Sequence, residues 1–197
     1  MLDFNEFTSV PSFVLDSAHL EKLSIAYNRV SHLSDVTVHA LRRDLERLDL
    51  DHNELAALPA CVVHVDLSYN RLHNISDHSF ANLRNLVYLN LAGNALEFVA
   101  ERAFSRLPKL QVLDLRDNHL VEFSSECFEN VSSEESNLSV NASYNRISSL
   151  VGGGPPLLIN ILDLSHNLLE SLSKAFFDSL GPSLRQIVLT HNRLTHI

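Results

Sequence analysis

Two columns of side chains recur in this chain at fixed distances from an asparagine, and their types admit chemistry. Four residues before each asparagine stand Ser24, Asp49, Asp66, Asn90, Asp114, Asn141, Asp163 and Val188. Immediately before it stand Tyr27, His52, Tyr69, Gly93, Asp117, Tyr144, His166 and His191. Carboxylates beside imidazoles could move protons or hold a metal. The spacing argues against both. The 11 histidines are spread over the whole chain, without a close Cys/His ligand cluster. Nor is there a nucleophile elbow, a phosphate loop or a zinc-protease helix motif. No enzymatic activity, metal or cofactor is expected. An acidic stripe beside aromatic and imidazole rings suits a basic protein surface better, with tyrosine as an amphipathic anchor. Asp49, Asp66, Asp114, Asp163, Tyr69, Tyr144, His52 and His166 are therefore the candidate partner-binding residues. A rival reading gives the same aspartates to the surface of the repeat itself.

The elements that position these columns follow from the phrase Leu-x-x-Leu-x-Leu-x-x-Asn-x-Leu. One clean copy runs Leu86, Leu89, Leu91, Asn94, Leu96, and the next Leu110, Leu113, Leu115, Asn118, Leu120. The asparagine recurs at Asn28, Asn53, Asn70, Asn94, Asn118, Asn145, Asn167 and Asn192, in steps of 25, 17, 24, 24, 27, 22 and 25 residues. This is the period of the leucine-rich repeat. In each copy the first part reads as a short strand whose side chains alternate, so Leu89 and Leu91 share the inner side and their neighbours face outward. No repeat can bury its apolar edge alone, so neighbours stack. The asparagine amide donates and accepts, and can satisfy backbone groups at the turn. The expected fold is an α/β solenoid, a leucine-rich repeat horseshoe with a parallel concave sheet and a mostly irregular convex side. Eight strands about 4.8 Å apart make an array on the order of 40 Å long.

Phe80, Phe104, Phe128 and Phe177 each follow an asparagine by ten residues. They are expected to stack between layers as an aromatic spine on the convex side. Leu2, Asn5 and Phe7 read as the tail of a truncated ninth copy. Residues 1–197 are thus expected to form one repeat array, of eight repeats plus that truncated one. The start has no basic region followed by a long apolar stretch. With no disulfide cap at either end, the array reads as an internal fragment of a longer ectodomain.

Cys61 and Cys127 lie three repeats apart, roughly 14 Å at regular spacing. A disulfide needs Cα atoms within about 7 Å, so the two are not expected to pair, and both read as small core residues. Two stretches break the pattern. Between Asn53 and Asn70 the segment Leu58–Val62 passes almost directly from turn to strand. From Ser124 to Ser139 serine and glutamate dominate, and Asn137 replaces an apolar residue in the weakest copy; the Val151–Pro156 loop follows it. A locally loosened turn region is expected here. Sequons for N-glycosylation stand at Asn74, Asn130, Asn137 and Asn141. Asn74 and Asn130 are expected on turns, while Asn141 projects from a strand onto the concave face.

A net charge of −9 is wrong for nucleic acid, which selects basic surface. No apolar run approaches the roughly 18 residues of a membrane span. The whole chain resembles the extracellular leucine-rich repeat superfamily. Within it, Val65-Asp-Leu-Ser-Tyr-Asn-Arg-Leu72, the run Pro155–Asn167 and the run Leu180–Asn192 are most similar to the chaoptin family of insect photoreceptor adhesion proteins. That resemblance implies a glycoprotein at the cell surface that joins apposed membranes by binding an identical array or another protein. Its lipid anchor would lie outside this segment. The irregular repeat lengths also resemble Toll-type receptor ectodomains, which would imply capture of a ligand instead. A secreted matrix protein is a third possibility.

Overall fold

The computed structural model describes residues 1–11, 14, 20–31, 47–50, 52–53, 62–70, 72–131, 137–153 and 156–195. Cys61, most of the Leu58–Val62 segment, and Gly154 and Pro155 lie outside them. In chain order the strands are β1 (Lys22–Ser24), β2 (Arg47–Asp49), β3 (His64–Asp66), β4 (Asn74–Ile75), β5 (Tyr88–Asn90), β6 (Phe98–Val99) and β7 (Phe104–Ser105). They continue with β8 (Val112–Asp114), β9 (Glu122–Ser124), β10 (Phe128–Glu129), β11 (Leu138–Asn141), β12 (Ser149–Val151), β13 (Ile159–Asp163) and β14 (Gln186–Val188). A short helix, α1, spans Lys174–Ser179.

The repeat phrase becomes one eight-stranded sheet in the order β1-β2-β3-β5-β8-β11-β13-β14. Every pairing is parallel, because each connection passes around the back of the molecule before the chain returns. Central residues align across it: Leu23, Leu48, Val65, Leu89, Leu113, Val140, Leu162 and Ile187. Val65, Leu89, Leu113, Val140 and Leu162 are fully buried. The predicted horseshoe, with its parallel concave sheet, is the fold observed.

The asparagines hold this sheet in register. Asn118 Nδ2 donates to Leu115 O in its own turn and to Leu91 O in the preceding repeat, both at 3.0 Å. Its Oδ1 accepts from Leu96 N at 3.0 Å. Asn53, Asn94, Asn145, Asn167 and Asn192 repeat this three-way bonding. Asn28 does the same against the truncated copy, through Leu2 O and Phe7 N. Asn5 Nδ2 donates to Leu2 O, so it is the ninth member. Asn70 is the exception. It follows the 17-residue step, its bond back to Leu50 O stretches to 3.4 Å, and no described residue donates to its Oδ1.

Among the described residues three two-stranded ladders form on the outer surface, β4 with β6, β7 with β10 and β9 with β12. The two-residue strands among them are too short to show a periodicity in sequence. Phe80, Phe104 and Phe128 stack at 5.7 and 5.5 Å as expected. The spine does not continue through Phe177. It turns through Phe123 to Phe176, which is fully buried, whereas Phe177 is only partly so. Both lie in α1, whose inner face carries Phe176.

The irregular stretches are tighter than expected. Ser124 caps a 3₁₀ turn over Ser125–Cys127. Buried Ser125 Oγ donates to Gly153 O and accepts from Gly153 N, both at 3.2 Å, and meets Ser179 Oγ at 3.0 Å. Gly152 lies so close to α1 that a β-carbon would fall 2.4 Å from Phe176 Cα. So Ser124–Asn130 and Val151–Gly153 are packed structure, not a loosened turn; residues 132–136 lie outside the description. In the weak copy a register shift between Leu138 and Ser139 lets Leu138 take the buried place that Asn137 vacates. Cys127 is buried and unpaired, as the geometry requires. Among the described residues no helix is long and apolar enough to cross a membrane.

Candidate functional site: the concave face and its rim of rings

Each strand of the large sheet ends in the same turn, and that turn builds both columns. The residue before every ladder asparagine has a positive φ, from 50° at Tyr69 to 66° at Gly93. A left-handed residue other than glycine costs roughly 1–2 kcal/mol. Here it reverses the chain so that the next side chain, the asparagine, points back under the strand into its three bonds. The left-handed residue itself is turned out along the rim, in the same orientation from one repeat to the next.

Aromatic side chains at such positions stack. Tyr27 and His52 lie 4.0 Å apart at 14°, and His52 and Tyr69 lie 5.3 Å apart at 20°. Phe4, also at positive φ, extends this column to Tyr27 at 4.4 Å. A second column runs Tyr144, His166, His191, with both spacings 4.1 Å and both angles 9°. Gly93 and Asp117 separate the two. Phe4, Tyr69 and Tyr144 are more than half exposed. Four of these rings, Tyr69, Tyr144, His52 and His166, are candidates by sequence; the two stacks extend further, through Phe4, Tyr27 and His191. Phe4 was findable, since it precedes Asn5 as the others precede their asparagines.

Asp49, Asp66, Asp114 and Asp163 line the sheet as nominated, each half-buried at a strand end. Asp66, Asp114 and Asp163 cap their own turn. Asp66 Oδ1 accepts from Ser68 N and Ser68 Oγ, Asp114 Oδ1 from Arg116 N, and Asp163 Oδ1 from Ser165 N. Asn90 and Asn141 make the same bond with an amide oxygen. Each side chain keeps a second head atom for other use. Asp66 Oδ2 accepts from Asn90 Nδ2 at 3.1 Å, and Asp114 Oδ2 meets Arg116 Nε at 3.3 Å. Burial raises the Asp114 carboxyl above its usual value; the Arg116 N–H bond and charge oppose this, and the Asp66 charge adds to it. Asp66 and Asp114 thus use one oxygen for their own turn and the other for a neighbouring side chain on the same face. Among the described residues no group of His, Cys, Asp and Glu could hold a metal ion.

The sequons divide by exposure. Asn74 is exposed, in strand β4 rather than on a turn, because the flank ladder draws it in. Asn130 is exposed at a left-handed bend after β10. Asn137 is exposed but its Oδ1 accepts from Asn160 Nδ2. Asn141 is half-buried on the concave face.

Known proteins share this architecture. The family profile described as leucine rich repeat matches residues 62–120. Osteomodulin of Rattus norvegicus is 27% identical over 203 residues, covering 100% of this chain and 41% of its own length. A chain of the octameric complex of Latrophilin 3 (Lec, Olf), Unc5D (Ig, Ig2, TSP1) and FLRT2 (LRR) superposes with a TM-score of 0.76 at 25% identity. That alignment covers 96% of this chain and 60% of the other. The Drosophila Toll–Spatzle complex supplies a likeness of fold, with a TM-score of 0.58 at 24% identity, over 90% of this chain and 26% of that one. This chain therefore spans less than two thirds of each of these relatives. The asparagine ladder, the parallel horseshoe and these likenesses give the chain the leucine-rich repeat fold, with residues 62–120 matching the family profile itself.

Proposed function

We propose that this array is a non-catalytic protein-interaction module of a cell-surface or extracellular glycoprotein, working in cell adhesion. The observation that carries the reading is the pair of exposed ring columns beside a row of aspartates. Aromatic rings held rigidly by neighbours contribute contact area at low entropic cost, and carboxylates beside them select a basic surface. Asp49, Asp66, Asp114, Asp163, Tyr69, Tyr144, His52 and His166 form the proposed contact surface, for an identical array or another surface protein. The similarity to a chain of a complex that contains Latrophilin 3 and Unc5D supports the protein-binding part. The similarity to the chaoptin family supports adhesion. In this reading residues 1–197 are one array within a longer ectodomain, and glycans sit on Asn74 and Asn130, away from the concave face.

Cell aggregation tests this. Non-adherent cells displaying the chain are mixed with labelled cells that lack it. Clusters made only of displaying cells, lost on Tyr69→Ala with Tyr144→Ala, support homophilic adhesion through the rings. Mixed clusters lost on the same substitutions support a heterophilic partner.

A receptor that captures a soluble ligand is the second reading. The uneven repeat steps and the likeness of fold to Toll in its Spatzle complex favour it. It predicts no clustering despite surface display, together with retention of a soluble protein from conditioned medium.

A further inference from the structure

The flank of the array holds a cleft that no part of the concave reading uses. Flank ladders join β4 to β6 and β9 to β12, but β6 and β9, neighbours in the stack, do not pair. His119 N still donates to Leu96 O at 2.9 Å. In the repeats on either side a second bond follows, Glu97 N to His73 O and Ser148 N to Val121 O. Its counterpart from Val121 N to Glu97 O is missing among the described residues. The two strands therefore present facing edges whose backbone groups are not joined to each other.

Behind those edges lies a cavity of about 160 Å³. Its floor is apolar and buried: Leu115, Leu120, Phe123 and Cys127. Cys127 directs its thiol to Ser124 O at 3.0 Å, so the floor offers no free polar group. The rim is Phe98 and Val121, which are 56% and 55% exposed, with Glu97 and Glu122 beside them. Both glutamates are exposed, and neither takes part in an ion pair among the described residues. An apolar cavity of ~150 Å³ takes up a benzene ring. The volume thus matches one phenyl group, and the two rim carboxylates match cationic side chains beside it.

We propose that this cleft binds an extended, basic peptide segment of a partner protein, seating one phenylalanine side chain in the cavity. In an extended segment the side chains two residues before and after the phenylalanine share its face. Lysine or arginine there meets Glu97 and Glu122. The backbone of the segment runs along the rim, over β6 and β9.

The probe is the acetylated, amidated pentapeptide Lys-Thr-Phe-Thr-Lys, titrated against the folded chain by calorimetry and followed by hydrogen exchange. Binding with slowed exchange confined to residues 97–99 and 121–124 is the expected result. Replacing the peptide's phenylalanine by alanine lowers affinity by about tenfold or more, the loss of one buried aromatic side chain. Glu97→Lys with Glu122→Lys also lowers it by about tenfold. Both sites are exposed, so the fold is retained, and circular dichroism checks it. Equal binding of the alanine peptide, indifference to the glutamate reversals, or protection at the concave sheet instead would overturn the proposal. So would uptake of toluene by a chain that ignores the peptide at millimolar concentration, which would mark a pocket for small apolar molecules.

Discussion

The Tyr69 ring lies against the backbone of Gly93, so close that a β-carbon there would fall 2.5 Å from Cδ1 and 2.6 Å from Cε1. Gly93 is the one glycine in a column otherwise filled by side chains, and its missing β-carbon is what lets the first stack lean forward. Gly93→Ala therefore displaces the ring. We expect a loss of about 1–3 kcal/mol in urea unfolding, from the forced side-chain shift. In Tyr69→Ala the same glycine change costs less, because the ring is no longer there to be displaced.

The asparagine ladder predicts unequal costs for identical substitutions. Asn118→Ala strands Leu96 N, Leu91 O and Leu115 O in the interior and should cost about 1–3 kcal/mol or more. Asn70→Ala also removes bonds within its own turn, to Leu67 O and Ser68 O, but its bond to the preceding repeat, at Leu50 O, is stretched and its Oδ1 accepts no described bond. Its cost is expected to be the smaller of the two. Equal denaturation midpoints for the two variants would contradict the ladder geometry.

Asp114 predicts a pH effect with a definite sign. Its folded carboxyl titrates above the usual value, so the stability linked to it is present at low pH and lost as pH rises through the folded value. At neutral pH the charge opposes folding. Asp114→Asn keeps the bond to Arg116 N, as Asn90 and Asn141 keep theirs. The variant is expected to equal or exceed the parent in stability at pH 7 and to lose this part of the pH dependence. Urea midpoints at pH 3 and pH 7 measure it.

Burial pushes the Cys127 thiol well above its ordinary value. The thiol stays protonated, so alkylation at pH 8 should follow global unfolding and not precede it. An acid raised in this way stabilises the fold below its unfolded pKa, about 8.5. That contribution declines as pH climbs further. Mass-spectrometric labelling in graded urea, read at Cys127 by peptide mapping, tests the first statement; midpoints between pH 8 and pH 10 test the second.

Much of the fold was legible because the residues that build it repeat. Leu89, Leu91 and Asn94 have the same neighbours in copy after copy, so one physical argument covers them all. What could not be read was set by partners outside the repeat. Phe177 kept the spacing of the spine, yet the inner face of α1 carries Phe176 there instead. Asn137 looked like a defect, and a register shift delivered Leu138 in its place. Gly152 looked like a loop residue, and only its distance from Phe176 reveals a packing role. At the candidate site the alternation of strand residues gave both columns. That their rings stack depended on the left-handed turn, whose φ no residue type except Gly93 announced.

The stretched bond at Asn70 acquires a meaning when the array is treated as a row of coupled units, each held only by its neighbours. Such a row comes apart first at its weakest junction. The 17-residue step puts that junction between the second and third full repeats, with Tyr27 and His52 on one side and Tyr69 on the other. Under tension or heat the chain is expected to part there like a slate along its bedding plane, and the first ring column would be divided while the second stays whole.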